Sequence, residues 1–66
     1  MKIKFNGESL DLSHSSLQEL LTQQNLAQKL GIAVAINGSV VPKSLWTETE
    51  IKINDDILVI TAAAGG

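Results

Sequence analysis

The sequence predicts a small α+β domain in which one amphipathic helix packs across a mixed sheet of four to five strands. Three observations support this prediction: short segments alternate polar and apolar residues near both ends of the chain, two Asn-Gly pairs follow such strand-like segments, and one segment carries leucines at helical spacing. The length of 66 residues and an apolar content of 44 % suit one globular domain with a single small core. We predict a folded domain over residues 1–61 and a flexible tail over residues 62–66.

The first strand pair is predicted close to the N-terminus. Segment 2–5 alternates lysine with Ile3 and Phe5, which places both apolar side chains on one face of a strand. Asn6-Gly7 follows at once, and both residues tolerate the positive φ of a type I′ turn. We therefore expect segment 8–12 to return antiparallel, with its two leucines facing the core.

The helix is predicted to begin at Leu17. Leucines recur there at helical spacing, at Leu17, Leu20 and Leu21, and polar residues lie on the opposite side of the helix. Ser16 and Glu19 fit a capping box, in which the serine oxygen accepts from the amide of Glu19 and the glutamate side chain reaches back to the amide of Ser16. We expect the helix to end near residue 24 or 25, and two further leucines to cover the bottom of the core, Leu26 and Leu30.

A second hairpin is predicted in the middle of the chain. Segment 32–36 is a short apolar run rich in β-branched residues, and Asn37-Gly38 closes it with a tight turn. Val40-Val41 should form a brief return strand that ends at Pro42, because proline lacks an amide hydrogen. The residues after Pro42 are expected to form a turn or a single helical turn that places Trp46, which we interpret as a packing residue over the edge of the core.

The last strand is predicted over residues 56–61, after a further alternating segment at 50–53 and a turn at Asn54-Asp55. This strand is apolar on both faces, although only one face can lie against the helix. If Ile57 and Val59 point into the core, the outer face of the sheet carries four other small or apolar residues: Ala33, Ala35, Leu58 and Ile60. Exposed apolar surface of this kind usually marks a partner site.

Composition excludes several functional classes. The net charge is −2 and the lysines are scattered, so we exclude DNA and RNA as main partners. The chain has no cysteine, and His14 is its single histidine, so the sequence offers no metal site and no nucleophilic catalytic set. We interpret His14 as a solvated residue, and the carboxylates at positions 48, 50, 55 and 56 as a solvated acidic edge. Without a signal peptide or a membrane-spanning run, we expect a cytoplasmic protein that has no membrane partner and is not an enzyme.

The final residues are the unusual feature of the sequence. Three alanines precede Gly65-Gly66, and none of these residues has a charge or a bulky group that could anchor it to the domain. One interpretation is a frayed tail of small residues. The other is a terminus that a partner enzyme threads through a narrow channel to ATP, because glycine leaves the terminal carbonyl unhindered and adopts whatever φ the channel requires.

The spacing of several residues resembles a known family. Ala35-Ile36-Asn37, Val41-Pro42, Trp46 and the terminal Gly65-Gly66 are similar to the pattern of the ThiS family of sulfur carrier proteins in thiamine biosynthesis, and the match spans almost the whole chain. The resemblance implies a β-grasp, ubiquitin-like fold. It also implies a carrier that holds no cofactor and does not itself catalyse a reaction.

The resemblance further implies a cycle and its partners. An E1-like adenylyltransferase uses ATP to adenylate the carboxylate of Gly66, sulfur from a sulfur donor protein replaces one oxygen to give a thiocarboxylate, and thiazole synthase takes that sulfur. Gly65 and Ala64 are then the residues that thread into the partner, and Leu58, Ile60, Ala33 and Ala35 form the docking surface. One departure is visible: the family usually has Gly-Asp before the last strand, whereas this chain has Asp55-Asp56.

Other functions remain open on the sequence alone. The small subunit of molybdopterin synthase has the same fold and tail and also carries a thiocarboxylate. A ubiquitin-like modifier that forms isopeptide bonds to lysines, or a non-reactive β-grasp binding module, could use the same outer sheet face.

Overall fold

The computed structural model describes residues 1–28 and 31–61. Along this part of the chain five strands, one α-helix and one 3₁₀ helix follow one another: β1 (Lys2–Phe5), β2 (Glu8–Asp11), α1 (Leu17–Gln23), β3 (Ile32–Ile36), β4 (Ser39–Val41), the 3₁₀ helix (Lys43–Glu48) and β5 (Asp56–Thr61). The predicted α+β class is confirmed. The prediction for Leu30 and the predictions for residues 62–66 lie outside the described residues.

The five strands form one mixed sheet in the order β2-β1-β5-β3-β4. The last strand, β5, lies at the centre, parallel to β1 and antiparallel to β3. The outer pairs β1–β2 and β3–β4 are the two predicted antiparallel hairpins. Because β5 lies between them, the C-terminal strand joins the two hairpins into one sheet.

Both hairpin turns have the predicted geometry. Asn6 and Gly7 have φ of 51° and 84°, and Asn37 and Gly38 have φ of 52° and 86°. Positive φ at both central residues defines the type I′ turn, whose twist matches that of the flanking strands. The two Asn-Gly pairs therefore fix the register of the hairpins.

The helix begins where the capping pattern predicted. Ser16 has an extended backbone, and its Oγ accepts a hydrogen bond from the amide of Glu19 at 3.3 Å. The second half of the predicted capping box is replaced by another contact, because the Glu19 carboxylate lies 3.1 Å from Nδ1 of His14. The leucine face of α1 is fully buried, so helix and sheet share one core.

The core lies between the helix and one face of the sheet. Nine residues among those described are buried apolar residues: Ile3, Leu12, Leu17, Leu20, Leu21, Val34, Trp46, Ile51 and Ile57. Trp46 enters this core from the 3₁₀ helix that follows Pro42, and its Nε1 donates to the carbonyl oxygen of Val41 at 3.0 Å. Its interpretation as a packing residue is confirmed.

The alternating segment 50–53 does not add a strand to the sheet. Within the described chain it makes one isolated bridge, between Ser16 and Glu50, and its two isoleucines differ sharply: Ile51 is 2 % exposed and Ile53 is 64 % exposed. The cause is a tight turn directly after Ile51, in which the amide of Asp55 donates to the carbonyl of Lys52 at 3.1 Å. This turn directs Ile53 to solvent.

Asp55 has a structural role that the sequence interpretation missed. Its carboxylate accepts from the amide of Lys52 at 2.8 Å and from Nδ2 of Asn37 at 2.9 Å. It is therefore a turn-stabilising residue, and the interpretation as a freely solvated acid was wrong for this position. The positive φ of the turn, 69°, is carried by Asn54, so the Asp55-Asp56 pair introduces no aspartate in the left-handed region.

Candidate docking surface and reactive terminus

The four residues predicted to form a docking surface lie together on the outer face of the sheet. In the register of β3 and β5, Ala35 is paired with Leu58 and Ala33 with Ile60. Residues paired directly across an antiparallel ladder point to the same face, so these side chains are neighbours. Leu58 is 46 % exposed and Ile60 is 55 % exposed, which is unusual for large apolar side chains in the central strand of a sheet.

The same face extends to the edge strand β4. Val40 is paired with Ala35 and is 72 % exposed, so it continues the row that begins with Leu58. We call Ala33, Ala35, Val40, Leu58 and Ile60 the outer patch. Val40 was not among the residues predicted to lie on this face, although the two-residue turn at Asn37-Gly38 already fixes its pairing with Ala35.

The two faces of β5 are clearly separated. Ile57 is fully buried and Val59 packs against the core from a half-buried position, whereas Leu58 and Ile60 point to the opposite side. The predicted assignment of the faces is therefore correct. The strand thus contributes one face to the core and leaves an apolar face exposed.

The charged residues near the outer patch belong to the neighbouring strand β1. Lys2 and Lys4 alternate with the buried Ile3, and both are exposed. Lys4 is paired in register with Asp56, the first residue of β5. The outer face thus has an apolar half on β5, β3 and β4 and a charged half on β1 and β2, a composition that resembles an interface core beside a polar rim.

Among the described residues, no group of three or more His, Cys, Asp and Glu side chains is placed to hold a metal ion. His14 is well exposed and contacts Glu19, as expected for a residue before the helix cap. None of the described helices combines the length and the apolar character that crossing a membrane requires.

The predicted sulfur-carrying residue is Gly66, and the residues predicted to thread into the partner are Gly65 and Ala64. They lie outside the described residues. The described part of β5 ends at Thr61, next to Ile60 of the outer patch. The outer patch therefore reaches almost to the last described residue, five positions before Gly66 in the sequence.

Comparison with known proteins identifies the family. The family model of the ThiS family matches residues 3–66. The chain belongs to the ThiS family. The sulfur carrier protein ThiS of Escherichia coli (strain K12) is 30 % identical over 66 residues, and the alignment covers 100 % of both chains.

Solved structures of ThiS family members agree with the fold. The crystal structure of the thiamine biosynthesis protein ThiS from Geobacter metallireducens superposes with a TM-score of 0.84 at 25 % identity, with complete coverage of both chains. A solution structure of a thiamine biosynthesis protein from the same organism gives a TM-score of 0.77 at 28 % identity, covering 100 % of this chain and 88 % of the other. The predicted β-grasp fold is confirmed.

The predicted functional class, a sulfur carrier of thiamine biosynthesis, is also confirmed. Family, curated relative and solved structures all correspond to a ThiS sulfur carrier of thiamine biosynthesis. A carrier requires enzymes that load it and enzymes that unload it.

Proposed function

We propose that this chain carries sulfur for thiamine biosynthesis as a thiocarboxylate on Gly66, and that it is a co-substrate of its partner enzymes rather than a catalyst. The observation that carries the proposal is the match to the ThiS family, which extends through Gly65-Gly66 to residue 66. The structure supports it with an outer patch that continues along the strand leading to those residues.

The proposed cycle has two loading steps. A carboxylate oxygen of Gly66 attacks the α-phosphorus of ATP in the active site of an E1-like adenylyltransferase, and pyrophosphate leaves. A sulfide equivalent from a sulfur donor protein then attacks the acyl carbon, AMP leaves, and the terminus becomes a thiocarboxylate. Thiazole synthase finally takes the sulfur. The carrier holds no cofactor of its own, and because loading consumes ATP, we place the cycle in the cytoplasm.

The tail is proposed to reach these active sites because its last residues are small. Gly65 and Ala64 present no side chain beyond a methyl group, so they can pass through a channel too narrow for larger residues. Ordering a free tail opposes this step by about 1–2 kcal/mol per residue. Docking must offset that loss.

The outer patch is the proposed source of the offsetting free energy. Covering apolar surface stabilises a complex by roughly 25 cal/mol per Å², and Leu58 and Ile60 expose about half of their area. We propose that the adenylyltransferase and thiazole synthase both cover this patch, with Ala33 and Ala35 allowing close approach beside the two larger side chains. The two enzymes would then bind the carrier one at a time.

The experiment that tests the function is an intact-mass measurement. The purified chain is incubated with ATP, a sulfur donor and the E1-like enzyme encoded by the same organism. We expect the mass increase that corresponds to exchange of one oxygen for sulfur, located on the C-terminal peptide. Adducts to lysines of other proteins would instead identify a modifier, and an unchanged mass would contradict the proposal.

Deletion of Gly66 provides the matched control. The described core lies within residues 3–57, so the shortened chain should retain its thermal transition. We expect adenylation, followed as ATP-dependent pyrophosphate exchange, to fall to background. Continued activation of the shortened chain would show that Gly66 is not the reactive residue.

A further inference from the structure

The central strand β5 extends beyond its parallel neighbour. β1 pairs with β5 at two positions, Lys4 with Asp56 and Phe5 with Ile57. On the other side, the register of β3 with β5 continues as far as Ile32 and Thr61. The chain of β1 turns away at Asn6-Gly7, so in the described structure the second half of β5 has a strand on one edge only.

A side chain replaces the missing strand at this point. The backbone amide of Asn6 donates to the carbonyl of Ile57 at 2.8 Å, which is the last backbone hydrogen bond between the two segments in the described chain. The next rung is formed by Oδ1 of Asn6, which accepts from the amide of Val59 at 2.8 Å. In a regular parallel ladder a backbone carbonyl would occupy this position. The ladder is thus extended by one rung after the backbone of β1 has left the sheet.

Asparagine combines the two properties that this position requires. The turn needs a residue that adopts φ of 51°, which asparagine, aspartate and glycine do at low cost. The rung to Val59 needs a short side chain with an acceptor oxygen, which glycine lacks. Residue 6 therefore has a task beyond forming the hairpin turn.

We propose that Asn6 is a positioning residue for the transfer reaction: its bond to Val59 holds the second half of β5 in register and so fixes the position and direction of the strand as far as Thr61, the last described residue before the C-terminal segment. This inference rests on the proposed function of the terminus. The bond lies two residues before Thr61, where the described part of β5 ends. No other hydrogen bond from the β1 side reaches β5 beyond Ile57 among the described residues.

The structure separates this role from docking. The side chains of Leu58 and Ile60 are held through the pairing of β5 with β3, at Ala35 and Ala33. This pairing does not involve Asn6. Loss of the hydrogen bond from Asn6 to Val59 should therefore lower kcat, which reports the alignment of the terminus in the docked complex. It should change KM less, because KM reports docking.

The test compares two substitutions at one position in the full chain. Asn6→Gly keeps the left-handed conformation and removes the acceptor, whereas Asn6→Asp keeps both the conformation and an acceptor oxygen. In Asn6→Gly we expect the amide hydrogen of Val59 to exchange with solvent at least about fivefold faster, and kcat for adenylation to fall about fivefold, with KM within about twofold of wild type. Asn6→Asp should restore both values.

Ser16→Ala is the control for a general loss of stability. It removes the helix cap at a residue that does not pair with β5, and it lowers stability by an amount similar to the loss of one hydrogen bond. At a temperature where all variants are folded, we expect Ser16→Ala to leave kcat unchanged. We also expect the exchange rate of the Val59 amide hydrogen to change no more than the lower global stability of this variant requires.

The proposal is overturned if Asn6→Gly leaves Val59 exchange or kcat unchanged, if Asn6→Asp behaves like Asn6→Gly, or if Ser16→Ala reduces kcat equally. A failure of the proposed function gives a different result. In that case wild-type protein is not adenylated at all, whereas the effect of Asn6→Gly on Val59 exchange persists.

Discussion

At the scale of single residues, the two turn asparagines connect distant parts of the chain. Each occupies the first central position of a type I′ turn and binds β5 with its side chain. Asn6 accepts from Val59, while Asn37 accepts from the amide of Asp56 at 2.9 Å and donates to Asp55. The two hairpins are thereby attached to opposite edges of the central strand by side-chain amides as well as by backbone pairing.

A substitution of Asn37 tests the role of its side-chain amide separately from the role of its left-handed backbone conformation. Asn37→Asp keeps the left-handed φ but replaces the donor that is 2.9 Å from Asp55 with a second carboxylate. Because like charges at this separation repel, we expect a loss of about 1–2 kcal/mol at pH 7, equivalent to a decrease in Tm of about 4–8 °C per kcal/mol for a domain of this size. Thermal unfolding followed by circular dichroism measures it.

A matched variant at the same position identifies the cause of the Asn37→Asp deficit. Asn37→Gly removes the side chain without adding a charge, so at pH 7 it loses only the hydrogen bonds to Asp55 and Asp56. We expect its deficit to be smaller than that of Asn37→Asp. Equal deficits in both variants at pH 7 would argue against charge repulsion.

These residues also show what sequence can and cannot reveal. The left-handed conformations of Asn6 and Asn37 were predictable, because an Asn-Gly pair determines its turn locally. The side-chain bond from Asn6 to Val59 spans 53 positions in sequence. It depends on β5 lying beside β1, and no local pattern in the sequence encodes that sheet order. The side-chain bond from Asn37 to Asp55, which spans 18 positions, was missed for the same reason.

At the scale of elements, β5 contributes one face to the core and the other face to the outer patch. Its inner face carries the fully buried Ile57, and its outer face carries Leu58 and Ile60 of the outer patch. Both faces were predictable, because apolar residues on consecutive positions of a strand must point in opposite directions. Alternation of polar and apolar residues did not by itself decide the structure of segment 50–53, because the Lys52–Asp55 turn interrupts the segment and exposes Ile53.

The outer face of β5 can be tested with a matched pair of substitutions. Leu58→Asp places a charge in the outer patch, whereas Ile53→Asp places the same charge on an exposed apolar residue outside the sheet. Both sites already contact solvent, so we expect changes in unfolding free energy within about 1 kcal/mol.

The kinetic consequences should differ between the two variants. Leu58→Asp should raise KM for adenylation at least about tenfold, because a desolvated charge opposes docking, and Ile53→Asp should leave it unchanged. A large loss of stability in Leu58→Asp would show that the faces of β5 are assigned wrongly. An equal rise of KM in both variants would show that docking does not depend on the outer patch in particular.

At the scale of the whole molecule, the proposed function places folding and sulfur transfer in different parts of the chain. Every buried apolar residue that forms the described core lies between Ile3 and Ile57. The outer patch lies on the surface of this body, and the proposed reactive residues follow Thr61. A carrier with this division can present its terminus to an enzyme without disturbing its core. This matters for a domain of 66 residues, because a domain of this size buries little surface and is only marginally stable.

This division predicts that the folded body alone is a competitive inhibitor. A fragment of residues 1–61 retains the described core and the outer patch, so it should unfold within a few degrees of the full chain and dock on the adenylyltransferase. Since it lacks residues 62–66, it cannot be adenylated. In pyrophosphate-exchange assays with the full chain as substrate, added fragment should raise the apparent KM and leave kcat unchanged. The same fragment carrying Leu58→Asp should fail to inhibit. A folded fragment that does not compete would show that binding depends on the tail, and the outer patch would lose its proposed role.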